Sequence, residues 1–419
     1  MKRFLLDTIL CSLFIFGVMG AFASLTFLKV FDAFDPIGEM FSDFELTDIV
    51  FSQLQDDPIA DERIVIVNIG EIPREGIARQ IEIINKYNPK VIGLDVMLDA
   101  PKEWAEDSAL TRVLSETPNI IIGEKLINYN EERGEFETTI KPEDHIVQES
   151  ALGYVNMITG ARTQEDLKMC REFTPYEKVD GEIRYSFPVR LAYAYDSSMT
   201  EKFLARGNDV EVVNYKGNII SFSSAQYGMK YFALDVYDVF DENFTEDLFE
   251  DKIVIMCFLG KYIGDTETTE DYYFTPMNEN YVGKAKNDMF GGVVHANITS
   301  QILDDDHIDQ MSENAQIALA IFFCLFNVFL FKIIYGAMPR WYDGITKIFQ
   351  LIEVAGLATI MIYLLLVFNY KADFTLSMIV IALSGDSLEV YHGVVKNLFS
   401  KERRKEVFKI NRRFWEAKS

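Results

Sequence analysis

The sequence predicts a soluble α/β domain with a mainly parallel sheet, joined to four transmembrane helices, one before the domain and three after it. Four apolar runs each reach about 20 residues, the length that a helix needs to cross the hydrocarbon of a bilayer. Between the first two runs, strand and helix patterns alternate, which is typical of a parallel sheet with right-handed crossovers. The apolar runs occupy residues 8–28, 315–335, 348–368 and 374–395.

These runs divide the chain into four parts. They are an N-terminal transmembrane anchor, a soluble domain, three transmembrane helices and a basic tail, at residues 1–31, 32–313, 314–395 and 396–419. Ala21 and Ala23 also fit the small-x-small cleavage pattern of a signal peptide. The apolar character continues past them to Val30, so we expect an anchor that is not cleaved.

The charge distribution predicts the orientation of the chain in the membrane. Residues 32–313 carry 56 Asp and Glu against 24 Lys and Arg, a net charge of −32. The other residues carry 9 acidic and 16 basic side chains, a net charge of +7, and the two sum to −25. Short loops rich in Lys and Arg stay in the cytoplasm, so we expect both termini there and the acidic domain outside. Such a domain repels nucleic acid, which excludes a nucleic-acid partner, while the basic segments are expected to contact membrane lipid.

Within the soluble domain, buried strands are indicated by continuous apolar runs and helices by apolar residues at helical spacing. Ile77, Ile81 and Ile84 mark the first helix, which Asn88-Pro89 ends. The predicted strands are residues 64–69, 91–98, 120–126, 151–157, 184–187, 210–215 and 252–259. The predicted helices are residues 75–87, 108–115, 188–195 and 296–303. The polar stretch at residues 129–149 is predicted to be an excursion from the sheet.

Two of the four cysteines, Cys170 and Cys257, lie in the soluble domain. An oxidising compartment permits a disulfide between them, but their separation in sequence does not establish one. Cys257 lies inside an apolar run, which fits a buried free thiol, and we expect two such thiols.

An ordered set of short motifs runs through the soluble domain. It consists of Pro73-Arg74, Asp95 within residues 90–98, Gly153 to Asn156, Asp180-Gly181, Arg184, Pro188, residues 248–260, Asp265, residues 274–276 and the segment GGVVHANITSQIL at residues 291–303. Over residues 40–310 this set resembles the second variety of the CHASE sensory-domain family, an extracellular domain associated with cyclases and histidine kinases. Glu124 and residues 129–149 follow no pattern of that family.

The resemblance implies an extracytoplasmic sensor domain on a multi-pass protein of the bacterial inner membrane, with the domain in the periplasm. Members of that family usually continue into a cyclase or kinase domain. Here the last apolar run is followed by the basic tail at residues 396–419, so we expect a separate protein to supply the output. In that tail Val407, Ile410 and Phe414 indicate a basic amphipathic helix that lies on the inner leaflet or docks on a cytoplasmic partner.

Candidate ligand-binding residues lie at the carboxyl ends of the first two predicted strands, because ligands of open parallel sheets bind beyond those ends. They are Glu71, Asp95 and Asp99, with Arg74 at the start of the adjacent helix. Arg74 and Asp95 can clamp a small polar ligand, since a guanidinium offers a rigid fork to a carboxylate. The alternative is an internal ion pair or helix cap that holds the loops in place.

His295 is the other candidate, and it lies among apolar residues at the start of a helix. It is either a ligand-binding residue, joined by Asp265 and Asp288 as hard metal ligands, or a buried residue at the junction. Spacing alone does not define a metal site, so we expect no metal and no cofactor. The four acidic residues at Asp304, Asp305, Asp306 and Asp309 are interpreted as a solvated face, with cation binding as the alternative.

Ionisable residues also lie in the predicted spans, where burial of a central Asp costs about 2.5–3.5 kcal/mol on insertion scales. They are Glu353, Asp386, Glu389 and His392, and the last three are spaced by three residues, which puts them on one side of the last helix. They indicate either a proton or ion pathway or, as we prefer, a helix that leaves the hydrocarbon there or contacts a partner helix.

Motifs of catalysis are missing from the sequence: there is no phosphate loop, HExxH, nucleophile elbow or paired CxxC. We therefore expect no enzyme. The sequence favours a receptor that detects an extracytoplasmic ligand or envelope protein and passes its state to a separate membrane or cytoplasmic protein. The alternative is an accessory subunit of a larger inner-membrane complex, and either role is compatible with a homo-oligomer.

Overall fold

A sheet of nine strands, counted over the residues that the structure describes, organises the larger of two units, Ser42–Asp309. The computed structural model describes residues 2–24, 45–100, 102, 104–142, 146, 150–159, 169–221, 226–227, 230–265, 267–278 and 286–395. The smaller unit comprises Met1–Phe41 and Gln310–Ser419. The predicted basic tail and residues 25–44 lie outside the described residues.

The strands are short apart from one. They are β1 (Ile64–Asn68), β2 (Val91–Leu94), β3 (Ile120–Asn130), β4 (Glu135–Ile140), β5 (Ala151–Tyr154), β6 (Ile158–Thr159), β7 (Cys170–Phe173), β8 (Tyr176–Val179), β9 (Glu182–Tyr185), β10 (Glu211–Val212), β11 (Ile220–Ser221), β12 (Gln226–Tyr227), β13 (Phe232–Leu234), β14 (Ile253–Cys257), β15 (Tyr272–Tyr273), β16 (Met289–Phe290), β17 (Asp309–Gln310) and β18 (Tyr370–Lys371).

The helices divide between the two units. They are α1 (Lys2–Ser24), α2 (Arg74–Asn85), α3 (Trp104–Glu116), α4 (Phe187–Tyr195), α5 (Ser197–Leu204), α6 (Val236–Phe240), α7 (Gly291–Asp304), α8 (Glu313–Ala337), α9 (Tyr342–Phe368) and α10 (Thr375–Val390). Single π-helical turns occur at Val50–Leu54 and Tyr391–Val395, and a 3₁₀ turn at Glu246–Leu248.

The main sheet has the order β13-β1-β14-β2-β3-β4-β8-β9, and β5 pairs with β3 as well. Strands β13, β1, β14, β2, β3 and β5 pair in parallel, which confirms the predicted α/β domain with a mainly parallel sheet. β1 and β14 are buried at every residue, as their continuous runs of Ile and Val predict.

The segment at residues 129–149 differs in part from the prediction. β3 continues to Asn130, and its second half pairs antiparallel with β4, so the expected excursion begins as an extension of the sheet. Most residues in the outer part of this hairpin are half-buried or exposed. A strand pair of that kind lacks the continuous apolar run by which buried strands are recognised. The predicted strand at residues 91–98 is also shorter, since it ends at Leu94.

Helices cover both faces of the parallel part of the sheet. α2 and α3 pack on one face, where they share a hydrophobic core with alternate strand residues such as Ile92, Leu94 and Ile122. α4 packs on the opposite face and against α7, which also contacts β14. Gly93 and Gly153 allow α4 to approach closely, because a Cβ atom at Gly153 would lie 2.7 Å from the Phe187 Cα atom.

The smaller unit is helical. α8 and α9 are the helices of the described residues that are long and apolar enough to cross a membrane. α10 packs against α8, α9 and α1, and their shared core includes Cys324, Phe331 and Leu388. Buried polar groups also join α9 to α10, since the Gln350 amide donates to the Ile381 carbonyl oxygen at 2.6 Å.

We predict that Gly153→Ala destabilises the soluble domain by about 1–3 kcal/mol, the usual cost of an overpacked core. The added methyl group would meet backbone atoms of Phe187, which move only if α4 moves away from the sheet. Chemical unfolding followed by circular dichroism measures the change.

Ala151→Ser is the matched control, because Ala151 is an exposed residue of the same strand. Its free energy of unfolding should change by no more than about 0.5 kcal/mol. Equal stabilities of the wild-type protein and Gly153→Ala would contradict the close packing of α4.

Candidate functional site

A polar centre lies at the carboxyl edge of the parallel sheet, with two buried and two half-buried members. It consists of Asp95, Cys257, Asp271 and His295. Asp95 directly follows β2, Cys257 ends the neighbouring strand β14, and His295 lies near the start of α7. The distance from His295 Nε2 to Asp95 Oδ2 is 3.9 Å, which is too long for a direct hydrogen bond.

A pair of glycines brings the start of α7 against this edge. A Cβ atom at Gly292 would lie 2.2 Å from Cys257 Sγ, and one at Gly291 would lie 2.7 Å from a carboxylate oxygen of Asp271. The Asp271 carboxylate therefore lies at the N-terminus of α7, where the partial positive charge of the helix favours an anion. Only glycine at both positions permits this approach.

Burial sets the protonation of the centre. It raises the pKa of the Asp95 carboxyl well above its usual range, and the nearby Asp271 carboxylate raises it further. Burial lowers the pKa of His295 to about 3, so the imidazole is neutral near pH 7. Burial, together with the charges of Asp95 and Asp271, raises the pKa of the Cys257 thiol well above its usual range.

These shifts limit the chemistry of the centre. A thiol with a raised pKa is a poor nucleophile, because the thiolate is the reactive form. His295 is 2% exposed, its ring lies edge-on to Phe187 at 5.2 Å, and its Nδ1 atom has no hydrogen-bond partner. Buried polar atoms are normally satisfied, so this imidazole is an exception within the core.

Arg74 does not form the predicted clamp with Asp95. Its guanidinium is buried in an ion pair with Asp107 of α3 and donates to the Ala100 carbonyl oxygen at 2.6 Å. The alternative interpretation, an internal ion pair, is confirmed for Arg74, but its partner is Asp107 and not Asp95. Glu71 and Asp99 are exposed, and neither belongs to the polar centre.

The metal-site interpretation of His295 with Asp265 and Asp288 is also not what the structure shows. Asp265 accepts hydrogen bonds from the backbone N–H groups of Lys261 and Glu267, within its own loop. Asp288 accepts from the Thr275 N–H group at 2.8 Å. Over the described part of the chain, no group of three His, Cys, Asp or Glu side chains is arranged to hold a metal ion.

The four acidic residues at the end of α7 and just beyond it each form an ion pair within the larger unit. Asp304 pairs with Arg63 at 2.8 Å, Asp305 with Lys202 at 2.5 Å, Asp306 with Lys216 at 2.9 Å and Asp309 with Arg206 at 2.8 Å. Their side chains are 34–68% exposed, which agrees with the predicted solvated face, and each carboxylate is also paired with a cation. We call these four pairs the junction ion pairs.

The ionisable residues of the predicted spans lie against neighbouring helices. Asp386 forms an ion pair with Lys347 of α9 at 2.9 Å, and Glu389 lies beside Asp343 of the same helix. The His392 ring stacks on Tyr335 at 5.7 Å. Glu353 is half-buried on α9 next to Asn327 of α8, which agrees with contacts between helices.

Sequence reasoning identified Asp95 and His295 but missed Cys257 and Asp271. Cys257 was interpreted as a core thiol because of its apolar neighbours, and it is a free buried thiol, as is Cys170. A signal for the centre existed in the glycine pair before His295, since adjacent glycines at a helix start indicate a close approach. The sequence does not indicate which side chains are approached.

The family model described as the CHASE2 domain matches residues 15–330 of the chain. No curated protein and no solved structure matches the chain.

We predict that Arg74→Met destabilises the domain by about 3–5 kcal/mol, because it leaves the buried Asp107 carboxylate without its cation. Arg112→Met is the control. Arg112 pairs with Glu82, but its side chain is 56% exposed, and such pairs contribute at most about 1 kcal/mol. Denaturant unfolding of the two variants measures the difference, and equal losses would contradict a structural role for Arg74.

We predict a specific pH dependence from His295. Its folded pKa, about 3, lies below its unfolded value near 6.5, so protonation favours the unfolded chain. Stability from the neutral imidazole is complete above pH 6.5 and is lost as the pH falls towards 3, by up to about 1.4 kcal/mol per pH unit. The titratable groups around position 295, which are Asp95, Cys257 and Asp271, are the same in the wild-type protein and in His295→Leu.

The measurement is the free energy of unfolding of the wild-type protein and of His295→Leu between pH 7 and pH 4. The wild-type protein should lose more stability than the variant over this interval. Parallel curves would show that His295 does not titrate between its folded and unfolded states in this way.

Proposed function

The chain belongs to the CHASE2 domain family, and from this premise we propose that it is a receptor of the bacterial inner membrane. CHASE2 domains are extracellular sensory domains, so the larger unit is the sensor and lies in the periplasm. It detects a small ligand or an envelope protein and passes its state to a separate protein. The observation that carries the proposal is the construction of α7.

α7 is buried from Gly291 to Leu303, yet much of it is polar. The Asn297 side chain donates to the Gly217 carbonyl oxygen at 2.9 Å and accepts from the Lys216 N–H group at 2.9 Å. These two bonds attach α7 to the backbone at Lys216 and Gly217. The His-Ala-Asn segment thus combines a contact with the polar centre, from His295, with an anchor, from Asn297.

Two more residues of α7 extend this attachment. The Gln301 side chain donates to the Val212 carbonyl oxygen and accepts from the Asn214 N–H group, at 2.9 and 2.8 Å. The Ser300 hydroxyl donates to Asp61 at 2.8 Å. Since all these bonds have fixed partners, α7 responds to a change at the polar centre as one body and not residue by residue.

The end of α7 is the route to the membrane. Residues 305–312 connect it along the chain to α8, and the junction ion pairs hold this connection on the domain side. A ligand that favours one position of α7 over another shifts the population of the two states. The shift then enters α8.

The proposed membrane part consists of four spans, α1, α8, α9 and α10, with both termini in the cytoplasm. Its support is the apolar length of α8 and α9 and the packing of α1 and α10 against them in one core. Asp386, Glu389 and His392 join α10 to its neighbours, so this helix would carry a change to a cytoplasmic or membrane partner.

We propose further that the protein is not itself a catalyst. The raised pKa of the Cys257 thiol and the lowered pKa of His295 support this view. With these shifts the polar centre contains neither an activated thiolate nucleophile nor a base that titrates near neutral pH.

We predict that Asn297→Ala changes the retention of the partner protein about 5-fold or more, because a typical coupling free energy of 1–3 kcal/mol corresponds to 5–150-fold. The full chain is purified in mild detergent, and mass spectrometry quantifies the membrane protein that copurifies in stoichiometric amount.

Asn119→Ala is the matched control. The Asn119 side chain also donates to a backbone carbonyl oxygen, that of Pro89, at 2.7 Å. Asn119 lies at the amino ends of β2 and β3, away from α7 in the sheet. Unchanged retention in Asn297→Ala would contradict transmission through α7. A partner that stays bound under every ligand condition would favour the accessory-subunit function instead.

A further inference from the structure

A second group of polar side chains, some buried and some half-buried, lies at the same edge of the sheet, away from the polar centre. It comprises Glu124, Arg184, Ser186 and Arg190, and we call it the Glu124 cluster. Glu124 pairs with Tyr154 across β3 and β5, and Tyr154 in turn bridges to Ser186. The cluster therefore lies where the parallel pairing of β3 ends, a position at which ligands of parallel sheets bind.

The Glu124 carboxylate is enclosed but not hydrogen-bonded. Glu124 is 1% exposed, and neither of its carboxylate oxygens has a hydrogen-bond partner. The Thr139 hydroxyl is nearby, but its geometry forms no hydrogen bond with either oxygen. A buried carboxylate without donors is unfavourable, so this position is retained at a cost to stability.

Basic groups surround the carboxylate without contacting it. Burial raises the pKa of Glu124, while the charges of Arg184, Lys141 and Arg190 and the Thr139 hydroxyl lower it. Arg190 packs on the neighbouring strand β5, since a Cβ atom at Gly153 would lie 3.2 Å from its Cγ atom. No ion pair joins either arginine to Glu124. Arg184 pairs instead with Glu182 of its own strand, at 3.2 Å, and the Nε atom of each arginine is buried without a hydrogen-bond partner. Arg190 is held in place by its contact with the Tyr185 ring at 5.2 Å.

Ser186 adds a neutral donor at the start of α4. Ser186 is 4% exposed, and its hydroxyl neither caps the helix nor forms a hydrogen bond of good geometry, although the Tyr154 hydroxyl is close enough to interact with it. The N-terminus of this nine-residue helix favours an anion beside that hydroxyl. The cluster thus has donors suited to an anion next to an acceptor suited to a cation.

An internal salt bridge does not account for this arrangement, because it would join Glu124 to an arginine directly. A single anion would satisfy the arginines and leave the carboxylate without a donor. We propose that the Glu124 cluster binds a small zwitterion of the amino-acid class. Its anionic group lies between Arg184, Arg190 and Ser186, and its cationic group is bound by Glu124.

This inference rests on the proposed sensory function, for which it names the ligand class. It also supplies a route to α7. Phe187 directly follows Ser186 and places its ring edge-on to His295 of α7. A change in the positions of Ser186 and Arg190 around a ligand would therefore reach the polar centre through the Phe187 side chain.

The test uses the full chain in detergent micelles. Its thermal unfolding midpoint is recorded by intrinsic fluorescence with each of the common amino acids, their N-acetyl derivatives and their methyl esters. At least one amino acid should raise the midpoint, whereas its N-acetyl derivative, without a cation, and its methyl ester, without an anion, should not. Glu124→Gln should weaken binding on the order of 30-fold, since it removes the charged partner of the ammonium group.

Glu137→Gln is the matched control, because Glu137 is an exposed carboxylate on the adjacent strand β4, and it should bind as the wild-type protein does. Arg190→Gln tests the anionic end and serves if Glu124→Gln does not fold. No shift with any amino acid, equal shifts with the N-acetyl derivative, or binding retained in both cluster variants would overturn the inference. The assay contains no partner protein, so its failure is distinct from a failure of coupling through α7.

Discussion

The structure depends on one constraint: α7 is buried along its length although it carries polar side chains, and buried polar atoms require partners. Asn297, Ser300 and Gln301 meet this requirement with bonds to fixed backbone or carboxylate atoms. His295 does not, since its Nδ1 atom has no partner. The helix is thus tightly held except at its first turns, which lie at the edge of the sheet where ligands of such folds bind.

The electrostatic arrangement of the larger unit follows from its strong excess of acid. Basic side chains are scarce there, and several are used at the end of α7, where Arg63, Lys202, Arg206 and Lys216 form the junction ion pairs. Arg184 pairs with Glu182 and Arg190 lies over the Tyr185 ring, and neither of them pairs with the nearby Glu124. In a domain with few cations, it is unusual that neither arginine pairs with the buried Glu124 carboxylate. The proposed ligand, bound between the arginines and Glu124, explains this arrangement.

Much of the fold could be predicted from sequence, because buried parallel strands carry a local signal. The runs of Ile and Val in β1 and β14 identify strands buried on both faces, and these strands form the centre of the sheet. The hairpin of β3 and β4 could not be recognised, since its stability comes from pairing between strands and not from a continuous apolar run. The predicted clamp of Arg74 with Asp95 is wrong for a similar reason. The partner of Arg74 is Asp107 on the next helix, and only the packing of α2 on α3 brings the two side chains together.

The division into a soluble domain and apolar helices, the class of sheet and the family can be predicted from the sequence, because these properties depend on local composition and ordered motifs. The sequence also indicates Asp95 and His295 as candidate site residues. Their surroundings follow from the tertiary structure. The order β1-β14-β2 places Cys257, from far along the chain, next to Asp95, and the glycine pair of α7 brings Asp271 and His295 to the same edge. Contacts of this kind depend on strand order and close packing, which have no signature at any single position of the chain.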